Sequence, residues 1–383
     1  MQVLQASHHR PQARVPRITN MAPYSLMPCE HLFDVNLIRS TGLCMAEIAI
    51  LPLAECSSFS GLFEQRHSAE GSWGWYRSLA ETTLSPGEEA VVAVAFNGRT
   101  ATAALPLARR GPGLRALTAP YTTLYAPPLH DVRWARFLGA NAQSFVEGSL
   151  QLDAFDPADL GMAAFLDGLQ FSGLIAAQYQ SFANFYERIG NFEEYWNARP
   201  SRLRATVRRK LAQSISEQAD FRCYRDAFGE AVAIYEEVYR ASWKAVEPHP
   251  AFIADMVEKL ACFGFIRIGV MRLRGKPVAV QVWLVCGRKG TIFKLAHRED
   301  AQHCSPGTLL THWMISSLVG EEGLDEIDFG RGADLYKRDW MTKSRFRRGV
   351  IAGNWKSYAG LRLIVGELIP MRLSAAVRRA WRR

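Results

Sequence analysis

The chain has 383 residues, 48% of them hydrophobic and 22% charged, with a formal net charge of +9. That length suits two domains better than one, and the composition excludes a disordered or collagen-like chain. Its longest apolar runs, such as Val278–Cys286, are interrupted and too short to cross a bilayer.

Residues 1–30 open with the basic stretch MQVLQASHHRPQARVPRITN, which lacks the apolar centre of a secretory signal. They read as a flexible tail, with Met21 as an alternative start. Order begins near Leu32. Ala90–Phe96 reads as a strand by its β-branched content, Asn97-Gly98 as a hairpin turn, and Thr100–Leu107 as the returning strand. Residues 120–129 look extended. Asp131 suits the cap of a helix expected over 132–146, with Trp134, Phe137, Leu138 and Ala142 on one face. A strand is expected at Leu150–Phe155, a helix from Asp156-Pro157 to Leu169, and another strand over 171–178.

Residues 181–200 read as the join between two units. Ser201 is expected to cap a basic helix carrying Arg202, Arg204, Arg208, Arg209 and Lys210. A strand over 219–224, helices over 227–246 and 252–262, and a hairpin turning at Arg274-Gly275-Lys276-Pro277 follow. Then come a strand at Thr291–Leu295, a polar loop holding Ser305-Pro306-Gly307, a helix, and a strand ending at Asp328-Phe329-Gly330. Strands alternate with helices, so the fold class is α/β. The expected units are 31–180 and 181–360, with a basic tail at 361–383.

The loop at 304–309 is the most informative stretch. Gly307 lets the backbone pass close to a ligand, and the helix behind it turns free N–H groups and partial positive charge toward that loop, which suits a phosphate. Charge is concentrated downstream: residues 331–383 hold 14 Lys/Arg against 3 Asp/Glu, while the rest of the chain is slightly acidic. A cationic surface of this kind fits phosphates, anionic lipid or nucleic acid. The seven Cys show no CxxC or zinc-like spacing, which fits free thiols and a reducing cytoplasm. No HExxH, P-loop, nucleophile elbow or dinucleotide fingerprint is present, so no metal is expected.

The ordered set Trp196, Pro200, Leu203, Arg208-Arg209-Lys210, Ser242-Trp243-Lys244, Gly275-Lys276-Pro277-Val278-Ala279, Ser305-Pro306-Gly307, Asp328-Phe329-Gly330-Arg331-Gly332, Tyr336-Lys337 and Trp340 resembles the GNAT-type N-acyltransferases of the cellulose-biosynthesis-associated (CelD-like) and Fem-like branch. The resemblance covers residues 180–345 well and 32–180 in layout only. It implies two tandem GNAT-like domains, each a mixed twisted sheet flanked by helices. It also implies acyl transfer from acyl-coenzyme A, acetyl-CoA foremost, to an amine or hydroxyl, in envelope polysaccharide biosynthesis.

In such folds the pantetheine lies between two splayed strands and the pyrophosphate at a loop-to-helix turn. Carried onto this chain, the splayed strand ends at Leu295 and Ala296. The turn comprises Cys304, Ser305, Pro306, Gly307, Thr308 and Leu309. The Gly-rich run with a leading Arg seen in the best-known members is missing here. Asp328 is the candidate base or acceptor-holding group, Tyr336 the proton donor to the leaving sulfur, and Lys337 and Arg331 the grip on an anion. Asp334 is read as their partner, Trp243 and Lys244 as walls of the acceptor cleft, and His297 as a relay or a structural hydrogen bonder.

Two other readings stand beside this one. The basic helix suits an aminoacyl-tRNA donor, as in Fem-like transferases. A non-catalytic scaffold of an envelope-assembly complex is the other, with the tail from Leu361 onward suited to an anionic membrane surface, which sets a membrane-peripheral position beside a plain cytoplasmic one.

Overall fold

The computed structural model describes residues 46–64, 68–332 and 334–371. The expected N-terminal tail and the last twelve residues of the expected basic tail lie outside them. The strands are β1 (Ala46–Pro52), β2 (Glu89–Asn97), β3 (Thr100–Arg110), β4 (Gly113–Ala116), β5 (Ser149–Phe155), β6 (Ile175–Arg188), β7 (Asp220–Tyr224), β8 (Ile266–Leu273), β9 (Lys276–Cys286), β10 (Lys289–His297), β11 (Glu326–Arg331) and β12 (Lys343–Gly353). They form one mixed sheet in the order β1-β2-β3-β4-β5-β12-β6-β11-β10-β9-β8-β7. The principal helices are α1 (Trp73–Thr82), α2 (Val132–Ala140), α3 (Leu160–Leu169), α4 (Ser201–Ser216), α5 (Phe228–Arg240), α6 (Ala251–Ala261), α7 (Pro306–Glu322) and α8 (Tyr358–Leu363).

The two halves repeat one plan. In each, three antiparallel strands lead to a fourth, and the fourth pairs in parallel with the fifth: β4 with β5, and β10 with β11. The sixth strand of each plan crosses over. β6 pairs antiparallel with β11, β12 pairs antiparallel with β5, and β6 and β12 pair with each other along eleven residues. The mixed, twisted α/β architecture is therefore one continuous sheet, stitched at its centre by exchanged strands.

Local chemistry explains much of this. Val91–Ala95 is buried without alternation, as expected of a strand covered on both faces. Arg274 and Gly275 both have positive φ and form the two-residue turn of the β8–β9 hairpin. Asp131 caps α2 by accepting from the Arg133 N–H. That helix stops at Ala140 rather than running to 146: Asn141 caps it, its side-chain amide donating to the Phe137 carbonyl (2.9 Å), and the helix crosses α3 at backbone contact. A Cβ on Gly139 would lie 2.1 Å from the Phe165 carbonyl oxygen.

Several expectations shift. The helix after β5 starts at Leu160 under an Asp159 cap, not at Asp156-Pro157. Ser201 is the first residue of α4 and Pro200 its N-cap, with no side-chain cap bond. Much of the stretch read as a join, 181–200, belongs to β6. β12 was not expected at all, because KSRFRRG reads as solvated charge.

Candidate active site

The site begins with a kink. β10 and β11 pair only over Lys289–Thr291 with Glu326–Asp328. Beyond that point Gly330 takes φ +63°, and the β11–β6 register slips between Asp328 and Arg331. The kink is held by side chains. Asp328 Oδ1 accepts from the Gly330 N–H (2.8 Å) and from Asn184 Nδ2 (2.6 Å), and Asn184 Nδ2 also donates to the Gly330 carbonyl (2.8 Å). A Cβ on Gly330 would strain the left-handed backbone and sit 3.1 Å from the Ile292 carbonyl. The two strands part here, and among the described residues no strand pairs with the β11-facing edge of β10 past Thr291.

The first half has the same kink, at Ala154 (φ +63°) in β5, but its opening is closed. The Tyr125 N–H donates to the Ala154 carbonyl (2.9 Å), and the Tyr125 hydroxyl to the Pro106 carbonyl (2.7 Å). The segment after β4 fills that gap. In the second half the gap remains, as a cavity of about 220 Å³ walled by Ile292–Leu295, Phe329, Arg331, Asp334, Tyr336, Lys337 and Lys244, with Tyr121 and Thr123 from the first half. That volume matches the reacting end of a carrier and is below that of a typical whole-ligand pocket.

The mouth is charged. Glu247 accepts from the Tyr121 hydroxyl (2.7 Å), the Tyr235 hydroxyl (2.7 Å) and Lys294 Nζ (2.9 Å). Lys294 Nζ also lies 4.0 Å from the centre of the Tyr121 ring. The Thr123 segment is pinned by buried Glu70, which accepts from the Thr123 N–H, the Thr123 hydroxyl and the Leu124 N–H. Burial, aided by the Lys294 charge, pushes Lys244 down to about 8. Burial also lowers Lys294 against the pull of Glu247, and raises Tyr336 to about 12.

Of the residues expected to act, Lys244, Leu295, Arg331, Asp334, Tyr336 and Lys337 line this cavity. Asp328 does not. It is 1% exposed, and beyond the bonds at the kink it pairs with Arg345 and with Lys289 (3.1 Å). Burial would raise its pKa, but Lys289, Arg345 and Arg347 hold it far below the usual carboxylate range. A carboxylate so held takes up no proton near neutral pH. The expected base is instead the anchor of the kink that opens the cleft.

Lys337 is engaged as well. Its Nζ donates to the Arg331 carbonyl (2.6 Å) and pairs with Asp334 (3.2 Å), closing the loop after β11. Tyr336 is half-exposed and packs edge-on against Phe329. Trp243 lies outside the cavity, its ring 4.1 Å from His297, whose Nδ1 is 3.2 Å from the Arg298 carbonyl. Burial lowers the His297 pKa.

Ala296, Cys304, Pro306, Gly307 and Leu309 are buried where α7 meets the end of β10. A Cβ on Gly307 would lie 3.0 Å from His297 Cδ2 and 3.5 Å from Leu295 Cδ1. Ser305 takes φ +53°, and its carbonyl accepts from the Leu309 N–H, the first helical bond, and also from the Thr308 N–H, a donor a phosphate would want. In compensation Lys210 reaches this turn from α4, its Nζ donating to the His303 carbonyl (2.6 Å). Sequence reasoning missed Tyr121, Glu247 and Lys294. Only Lys294, a charge inside an apolar strand, left a signal there.

Residues 201–338 match the family model described as an acetyltransferase (GNAT) domain. No curated protein matches the chain. Among solved structures, FemX is similar with a TM-score of 0.53 at 11% identity, over 79% of this chain and 96% of that one. The C-terminal domain of a putative lysylphosphatidylglycerol synthetase from Agrobacterium fabrum follows at 0.51 and 12%, over 82% and 97%. L-PGS from Bacillus licheniformis stands at 0.50 and 14%, over 84% and 95%. Identities this low speak to fold alone. The molecule thus has a GNAT/Fem-like fold, and its second half matches a GNAT acetyltransferase domain.

Proposed function

We propose that the chain transfers an acyl group from acyl-coenzyme A to an amine or hydroxyl acceptor. The observation that carries the reading is the opening between β10 and β11, kept free in the second half while its counterpart in the first is filled. The exposed strand edge past Thr291 suits a pantetheine arm, and the Lys210 charge beside the turn at the start of α7 suits its pyrophosphate. At the reacting end the acceptor nitrogen or oxygen adds to the thioester carbon. The C–S bond then breaks, and the Tyr336 hydroxyl gives its proton to the leaving thiolate. The tyrosinate regains a proton from the acceptor atom, so no net charge is left behind. Lys244 and Arg331 place positive charge beside the oxygen that becomes negative. An acceptor from an envelope saccharide is the class that the resemblance to the CelD-like branch favours.

A second reading has its own support: Arg202, Arg208 and Arg209 form an exposed basic face on α4, and one structural neighbour is by name the C-terminal domain of a putative lysylphosphatidylglycerol synthetase. An aminoacyl-tRNA donor fits that face. Thermal melting separates the two. Acetyl-CoA at about 100 times its Kd is expected to stabilise the protein by roughly 2.7 kcal/mol. No stabilisation by any acyl-CoA, together with salt-sensitive binding of charged tRNA, overturns the first reading for the second.

Lys244 ties the reaction to pH. Its charge is present below about pH 8 and lost above it, because its pKa is lowered in the folded state. The kcat for acyl transfer is expected to fall several-fold as pH passes through 8, and Lys244→Arg to flatten that fall. An equally steep fall in the arginine variant removes Lys244 from stabilising the oxygen that becomes negative.

A further inference from the structure

We infer that α8 and the turn before it form a docking face for an anionic lipid surface. The helix runs on past Leu363 through a widened turn, Ile364–Leu368, to Met371. That widened turn lies just ahead of Pro370, whose ring would clash with the carbonyl four residues back in a regular helix. The inner side is seated: Ile364 and Leu368 pack with Tyr179 and Ile351 on β6 and β12, and Gly360 lies against the Asn354 and Gly148 backbone.

The apolar character does not stop at the seat. Leu361, Val365 and Ile369, spaced four apart, are about half exposed, Tyr358 is 84% exposed, and Trp355 on the preceding turn is also open. A helix whose apolar arc is only half buried leaves hydrophobic surface facing water, and contiguous patches of that kind mark contact sites.

Charge identifies the occupant. Residues 354–383 contain seven Lys/Arg and one acid, Glu367, and the final twelve, RLSAAVRRAWRR, hold five Arg and no acid. Lys356 and Arg362 are exposed beside the stripe. A second copy of the chain would bring the same positive charge to the contact, whereas an anionic bilayer brings the opposite sign. Aromatic, aliphatic and basic residues along one exposed line are what an interfacial helix needs to sit at headgroup depth. Among the described residues no helix is long and apolar enough to cross a membrane, so the contact is peripheral. This inference does not rest on the transferase reading.

Sedimentation of the full-length protein with vesicles tests it. With vesicles of phosphatidylcholine and about 30% phosphatidylglycerol the protein is expected to pellet, and with phosphatidylcholine alone it largely stays behind. About 0.5 M salt reduces the pelleted fraction by shortening the reach of the charges. The triple variant Leu361→Ser, Val365→Ser, Ile369→Ser is expected to lose about tenfold in partitioning at unchanged melting temperature. If it melts early, Tyr358→Ser, at the most exposed position, takes its place with a smaller loss expected. Equal pelleting of wild type and variants overturns the inference. So does failure to pellet on the anionic vesicles, or a wild-type dimer that the triple variant dissolves in the absence of lipid.

Discussion

Tyr336→Phe is expected to lower kcat for acyl transfer by about 10²- to 10³-fold, with KM for both substrates within about threefold of wild type. The phenol lines the cavity and keeps its proton because burial raises its pKa to about 12. It therefore keeps its proton throughout the working range, and because a phenol so raised is a weaker acid than a thiol, its transfer to the thiolate is completed by the proton it takes back from the acceptor atom. The ring survives in the variant, so its contact with Phe329 should survive as well. A loss in KM rather than kcat shows that the residue shapes the cavity without donating. Activity at the wild-type level leaves proton delivery to water and removes Tyr336 from the chemistry.

Asp328→Ala is expected to destabilise the fold by about 3 kcal/mol, the low end for breaking a buried ion pair, because Arg347 keeps Asp156 and Arg345 keeps Glu326. Arg347 is almost completely buried and faces Asp328 at 4.0 Å, and Arg345 and Lys289 converge on the same carboxylate. The Gly330 N–H and Asn184 lose their acceptor in the same step. The pH dependence has a definite sign. A carboxylate whose pKa is depressed in the folded state stabilises at neutral pH, and that contribution drains away below about pH 4 as the unfolded chain takes up protons first. Denaturant midpoints of wild type and Asp328→Ala should therefore differ most near neutrality and converge in acid. A gap that persists undiminished at low pH, or a variant as stable as wild type, ends the assignment of Asp328 as anchor. Loss of acyl transfer in a variant that still folds is expected too, because the kink sets the width of the cleft.

Legibility in the sequence followed the range of the forces involved. The Asn97-Gly98 and Arg274-Gly275 turns, the Asp131 cap, the buried run at Val91–Ala95 and the start of α7 after Ser305 were readable because each depends on residues a few positions apart. β12 and most of β6 were not. Phe346 to Arg348 reads as surface charge until Arg347 is seen paired with Asp156, 191 residues earlier, and Arg345 with Asp328. Inward-pointing arginines contradict every local rule for a strand and become reasonable only beside buried carboxylates. Tyr121 and Glu247 are likewise 126 residues apart and meet only through the fold.

By itself, then, the amino-acid order determined the class of fold, the strand–loop–helix around Gly307, and six of the residues that wall the cavity. Tertiary structure decided what those residues do. It turned Asp328 from a reactive group into a strut, left one strand opening free and filled the other, and brought a tyrosine from the first half over the second. The reason is physical: hydrogen-bonded turns and caps are local, but a carboxylate's protonation state is set by which charges converge on it, and convergence requires the whole sheet.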